Sequence, residues 1–170
     1  SGKDMRAGIA SEISKYHPGG VILFGINLGT AGQVKSLNQS LQKASLEATG
    51  VPLLISIDQE GGRVVRLTHI TQFPGAMAMG QAGDANLARS VGFVTASELL
   101  DFGFNIVLAP VLDINNNPKN PVINTRSYGS NTSTVTEMGL AYMEGVQMAG
   151  SIPVIKHFPG HGDTTVDSHH

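Results

Sequence analysis

Residues Ile152 to His170 read IPVIKHFPGHGDTTVDSHH, and the change of character halfway along this stretch decides the fold. Ile152 to Ile155 is a short apolar run of the kind that forms a buried strand. Lys156 and His157 then stand at its carboxyl end, where α/β folds place catalytic groups. Pro159, Gly160 and Gly162 forbid a helix directly afterwards. Four histidines, one lysine and two aspartates fall within residues 156–170, a density of titratable groups that points to an active site. Asp167 and His169 are two apart, so in an extended segment they face the same side. An aspartate there fixes the imidazole tautomer and raises its basicity, which makes the pair a candidate proton-transfer dyad. The competing reading is a solvated loop with incidental histidines.

Three further apolar runs precede this one: Val21 to Ile26, Pro52 to Ile57 and Phe104 to Ala109. Their hydrophobicity is continuous rather than alternating, which predicts strands covered on both faces. Helical patterns separate them, with Val34, Leu37 and Leu41 in one, Leu87, Val91, Val94 and Leu99 in the next, and Val135, Met138, Tyr142 and Val146 in the third. Another helix is predicted around Met5 to Tyr16. Alternating strands and helices mean βα units, right-handed crossovers and a parallel sheet. Polar residues follow every run at its carboxyl end: Asn27, then Asp58 to Arg63, then Asp113, then Lys156 and His157. That one-sidedness predicts a TIM-type (β/α)8 barrel, whose active site is built from the loops at that face. No GxGxxG or Walker-type loop supports an open dinucleotide-binding sheet instead. A whole barrel needs roughly 250 residues, and the four βα units here supply about half of its strands. The chain therefore reads as one incomplete barrel domain spanning 1–170, with the first strand expected upstream of Ser1 and later strands beyond His170.

Composition narrows the function. The chain has 170 residues, 41% of them apolar and 14% charged, with a net charge of -2, so it can bury a real core and lacks the electrostatic footprint of a nucleic-acid binder. Cysteine is absent, which excludes disulfides and thiol catalysis and leaves both reducing and secreted compartments open. No apolar stretch approaches the length of a membrane span. Tryptophan is absent and aromatics reach only 5%, which favours a small pocket over a long cleft with stacking platforms. The histidines also raise the question of a metal. They lack H-x-H or HExxH spacing, and Pro159 prevents helical presentation of His157 with His161, so no metal and no cofactor is expected.

The segments IDQEGGRVVRL (Ile57 to Leu67), APVLDINNNP (Ala109 to Pro118), NTRSYG (Asn124 to Gly129) and KHFPGHGDTTVDSHH together resemble the family-3 glycoside hydrolases, within them the β-N-acetylhexosaminidase branch. Four motifs in order, spread over nearly the whole chain, carry this resemblance. It implies that Asp58 accepts from sugar hydroxyls, that Lys156 and His157 donate to the same ring, and that Arg66 and Arg126 line the pocket. Read alone, Asp58 also suits a helix N-cap, and either arginine suits a surface salt bridge. The resemblance further implies His169 as general acid/base, oriented by Asp167, in a retaining double displacement through a covalent glycosyl-enzyme. Imidazole titrates near neutrality and can first protonate the leaving oxygen and then deprotonate water. The family's nucleophile is an aspartate on a later strand with no counterpart here, so this chain alone is expected to be inactive. Ile26 stands before Asn27 where many relatives carry arginine. His161, between glycines, is expected to position its loop, and Asn115 to Pro118 read as turn chemistry.

The function implied is release of terminal N-acetylglucosamine from peptidoglycan fragments or related glycans. Two alternatives stand beside it: a phosphorylase on the same scaffold, and a non-catalytic sugar-binding or assembly fragment. The expected partner is a small carbohydrate, with no nucleic acid and no membrane span. Uncovered sheet edges predict self-association or a complementary fragment. Localisation leans to a secreted or cell-wall-associated bacterial protein, with the cytoplasm as the alternative.

Overall fold

The computed structural model describes residues 2–4 and 7–167. In chain order the elements are α1 (Ala7–Tyr16), β1 (Gly20–Leu23), α2 (Ala31–Thr49), β2 (Leu54–Ile57), β3 (Gln59–Gly61), β4 (Val64–Val65), α3 (Ala76–Ala82), α4 (Ala85–Asp101), β5 (Ile106–Val107), α5 (Thr132–Met148) and β6 (Ile152–Pro153). The main sheet has four strands in the order β1-β2-β5-β6, and every pairing in it is parallel. This is the α/β architecture expected of four consecutive βα units. Beyond the last ladder pair the strands stay in touch, since the Leu112 amide donates to the Lys156 carbonyl at 2.7 Å. The strands are shorter than their apolar runs, because pairing ends where the chain turns toward the polar loops. The Met5 end of the predicted first helix lies outside the described residues.

Helix boundaries follow local chemistry. Thr30, Asp84 and Asn131 accept backbone N–H groups at the starts of α2, α4 and α5, satisfying donors that have no partner within the helix. Val34, Leu37 and Leu41 are buried on α2, and Val135, Met138, Tyr142 and Val146 on α5, as the periodicity predicts. On α4 the register differs: Ala88, Val91, Thr95, Ala96 and Leu99 are buried, while Leu87 is 44% exposed. The reason is close approach to α5. A side chain on Gly92 would collide with the Tyr142 backbone, and one on Gly145 with that of Arg89, so small residues rather than large ones face the partner helix.

The expectation of strands covered on both faces is only half realised. Ile55, Ile57 and Val107 are buried under the helices. On the opposite face, the register places Leu54 beside Gly20 and Ser56 beside Ile22, and Ile22, Leu54, Ile152 and Val154 are exposed. In a closed barrel, side chains on this face pack against one another across the axis. Among the described residues four strands form this face. Among the described residues, no helix is long and apolar enough to cross a membrane.

Candidate active site

The site is built from the carboxyl ends of β2, β5 and β6. After Ile57 the chain continues extended through Asp58, Gln59 and Glu60, so Asp58 and Glu60 share one side and Gln59 takes the other. Gln59 is buried and fixes the tight β3–β4 hairpin: its Nε2 donates to the Leu67 carbonyl, and its Oε1 accepts the Arg66 and Leu67 amides, each at 3.0 Å. This hairpin was not anticipated from the sequence. It holds the carboxylates of Asp58 and Glu60 facing the end of β6.

Lys156 meets both carboxylates, with Nζ 2.6 Å from Asp58 Oδ1 and 2.5 Å from Glu60 Oε1. Glu60 in turn binds Arg126 as a fork, Nε to Oε2 and Nη2 to Oε1, both at 2.9 Å. Burial alone would lower the Arg126 pKa, but the hydrogen bond and charge of Glu60, with the further charges of Asp113 and Asp58, raise it. Arg126 Nη2 also lies 3.3 Å from His157 Nε2. The other ring nitrogen, Nδ1, is 2.5 Å from Asp113 Oδ2. An ionised carboxylate only accepts and a guanidinium only donates, so hydrogen-bond logic assigns the proton to Nδ1 and leaves Nε2 as an acceptor.

Asp113 organises the far side of the site. Its side chain is 0% exposed, its Oδ2 also accepts the His157 amide at 3.2 Å, and its Oδ1 accepts the His161 amide at 2.6 Å. Burial pushes this carboxyl up, but the hydrogen bonds from the His157 ring and from the His161 and His157 backbone amides outweigh it and hold the group below its ordinary value. A cleft of 420 Å³ opens alongside, lined among others by Lys156, His157, Phe158, Gly162 and Thr164.

Of the residues predicted from sequence, Asp58, Arg126, Lys156 and His157 converge in one network. Arg66 is half-buried just past the hairpin, held through its backbone, and no described residue bonds its guanidinium. Asp167 is half-buried at the end of the described residues, and His169 lies outside them. Asn27 uses its side chain locally: Oδ1 accepts the Phe24 amide at 2.9 Å and Nδ2 donates to the Gly2 carbonyl at 3.1 Å. Glu60 was missed, and Asp113, weighed between binding substrate and capping its loop, was left outside the core set. Glu60 had a readable signal, the two-residue spacing from Asp58. Asp113 had one in its place directly after a buried run. Among the described residues, no group of three or more metal-ligating side chains is arranged to hold an ion.

Comparison with known proteins bears directly on this geometry. The profile described as "Glycosyl hydrolase family 3 N terminal domain" matches residues 2–170. Beta-hexosaminidase A of Pseudoalteromonas piscicida is 45% identical over 168 residues, covering 95% of this chain and 28% of that protein. Beta-hexosaminidase LpqI of Mycobacterium tuberculosis is 34% identical, covering 92% of this chain and 40% of that protein. Among solved structures, a glycoside hydrolase family 3 β-N-acetylglucosaminidase from Paenibacillus sp. FPU-7 superposes with a TM-score of 0.96 at 48% identity, over 100% of this chain and 32% of its own. NagZ from Neisseria gonorrhoeae, in complex with N-trifluoroacetyl-D-glucosamine, superposes with a TM-score of 0.89 at 32% identity, over 99% of this chain and 50% of its own. The chain thus spans half or less of the length of each of these relatives. With its four parallel strands and its polar network in place, this chain belongs to glycosyl hydrolase family 3, with residues 2–170 matching that family's N-terminal domain.

Proposed function

We propose that these residues form the sugar-binding part of a retaining, exo-acting β-N-acetylhexosaminidase that releases terminal N-acetylglucosamine from peptidoglycan fragments or related glycans. The observation that carries this reading is the convergence of Asp58, Glu60, Lys156, Arg126 and His157 in one network of charged donors and acceptors at the carboxyl end of the sheet, with Lys156 and His157 also lining the neighbouring cleft. Charge-assisted bonds of this kind suit the hydroxyls of a single sugar ring. In this arrangement Lys156 and Arg126 are the donors, and a hydroxyl reaching His157 Nε2 would itself donate. The relatives named beta-hexosaminidase and the neighbour holding an N-acylated glucosamine analogue support the substrate class.

None of the network's own carboxylates suits the role of nucleophile: Asp58 and Glu60 are neutralised by Lys156 and Arg126, and Asp113 is fully enclosed. The resemblance to family 3 implies that the attacking carboxylate is an aspartate on a later strand of the full-length protein. Bond cleavage sends the C1–O electron pair to the leaving oxygen, which takes a proton from the His169 imidazolium as the carboxylate bonds to C1. Neutral His169 then removes a proton from the water that releases the sugar.

The test is hydrolysis of 4-nitrophenyl N-acetyl-β-glucosaminide by the full-length protein, with proton NMR following the anomer released first. Turnover with the β anomer first, and little activity on the glucoside, is the expected result. Release of the α anomer first would exclude the double displacement. Binding of N-acetylglucosamine without turnover would leave a non-catalytic sugar-binding module.

A further inference from the structure

We propose that Asn120 is a positioning residue that sets the loop leading to the proton-transfer pair. This rests on the reading of Asp167 and His169 as that pair. Asn120 is 2% exposed although it lies in an irregular segment of polar residues. Its Oδ1 accepts the Val122 and Ile123 amides at 2.8 and 2.7 Å, which locks the side chain in place from its own segment. Its Nδ2 points across to the other loop, donating to the His161 carbonyl at 2.6 Å, with the Gly162 carbonyl at 3.2 Å and Thr164 Oγ1 at 3.3 Å sharing the remaining donor capacity.

Neighbouring contacts act on the same four residues. Asn117 Nδ2 reaches the Asp163 and Thr164 carbonyls, each at 3.2 Å. Asp113 takes the His161 amide. Gly162 is buried with its Cα against the Ile114 backbone, so closely that a Cβ would collide with the Ile114 carbonyl. Residues 161–164 are thus tied to 113–120 by several side-chain contacts, although Asp163 and Thr164 remain exposed, and Asp167 follows only three residues later. Backbone carbonyls are bonded here by side-chain amides rather than by a ladder, so truncating Asn120 removes its contacts to His161, Gly162 and Thr164 and loosens the loop without disturbing a strand.

Asp58, Glu60, Lys156, Arg126 and His157 hydrogen-bond among themselves without Asn120. Releasing the loop should therefore leave sugar binding intact and weaken proton donation. The two effects separate by leaving group. A dinitrophenyl N-acetylglucosaminide departs without an acid, whereas a phenyl or alkyl glycoside needs one.

The experiment is Asn120→Ala in the full-length protein, with kcat and KM measured on both substrate types, and with amide exchange across residues 159–167. The expected result is KM unchanged on both, kcat near wild type on the dinitrophenyl substrate, and a fall of roughly 100-fold on the poor leaving group, the size of a lost general acid. Exchange at 161–164 should rise about tenfold while the sheet stays protected. An equal loss on both substrates, or none on either, would overturn the assignment. A wild type that never turns over would instead sink the hydrolase reading. The exchange readout would then still decide whether Asn120 holds the loop. Should Asn120→Ala fail to fold, Asn117→Ala carries the same two readouts, and unchanged exchange there counts against the latch.

Discussion

Arg126 and Glu60 form a forked ion pair with both N–O distances at 2.9 Å and side-chain exposures of 14% and 6%. Lys156 shares Oε1 of the same carboxylate. One buried acid thus organises two cations that come from distant parts of the chain. Replacing it leaves both charges undersatisfied in a place that water reaches poorly, and breaking such a pair from one side typically costs about 3–5 kcal/mol.

Glu60→Gln keeps the shape and removes the charge. The expected outcome is a clear fall in the denaturant midpoint, together with at least a roughly tenfold loss in kcat/KM, the equivalent of about 1.4 kcal/mol. Urea melts and steady-state kinetics on one preparation check both. A midpoint equal to wild type would show that the fork contributes nothing to stability.

Asp113 gives a pH dependence with a definite sign. Its folded-state pKa is depressed, so its contribution is fully present above the unfolded value near 4 and is lost as pH falls through the lower folded value. Wild type should therefore lose thermal stability steeply below about pH 4. Asp113→Asn should be the less stable protein at neutral pH, and the gap should close as the pH drops. A gap that stays constant from pH 7 down to 3 contradicts the linkage.

The His157 tautomer is open to direct observation. A long-range proton–nitrogen NMR spectrum should show Nδ1 with a protonated-type shift and Nε2 with an unprotonated one, because Asp113 accepts from the first and Arg126 donates to the second. The reverse pattern would return His157 to the role of donor toward a sugar hydroxyl.

The uncovered sheet face also has a measurable consequence. Ile22, Leu54, Ile152 and Val154 are exposed, and β1 and β6 are both edge strands. Such edges and apolar faces seek partners. The 170-residue chain by itself should sediment as dimers or larger species at micromolar concentration, and Ile22→Lys with Val154→Lys should shift it toward monomer. A monodisperse wild-type monomer would argue against this.

Most of the architecture was legible because a doubly covered parallel strand is a run of Val, Ile and Leu, and because helices such as α2 and α5 write their buried face at a spacing of three and four. Where small residues make the interface, as on α4, the large apolar side chains mislead: Leu87 points outward and Ala88 inward. Asp58, Lys156 and Arg126 stood out because each lies in a motif at a strand end. The positions of Glu60 and Asp113 were readable, but their roles were not, for a shared reason. Their work is done through other residues, and nothing in a sequence distinguishes a carboxylate that will meet substrate from one that will hold an arginine or an imidazole. The hairpin after β2 escaped notice because two- and three-residue strands leave no periodicity to read. Its anchor is the side chain of Gln59, not an alternating pattern.

The bond between Lys156 and Asp58 joins positions 98 apart in the chain. Along the chain Asp58 and Glu60 come first, Arg126 next, and Lys156 only after β6. The polar network at the strand ends is thus closed by a contact of high sequence separation, the kind that forms slowly because its loop-closure entropy must be met first.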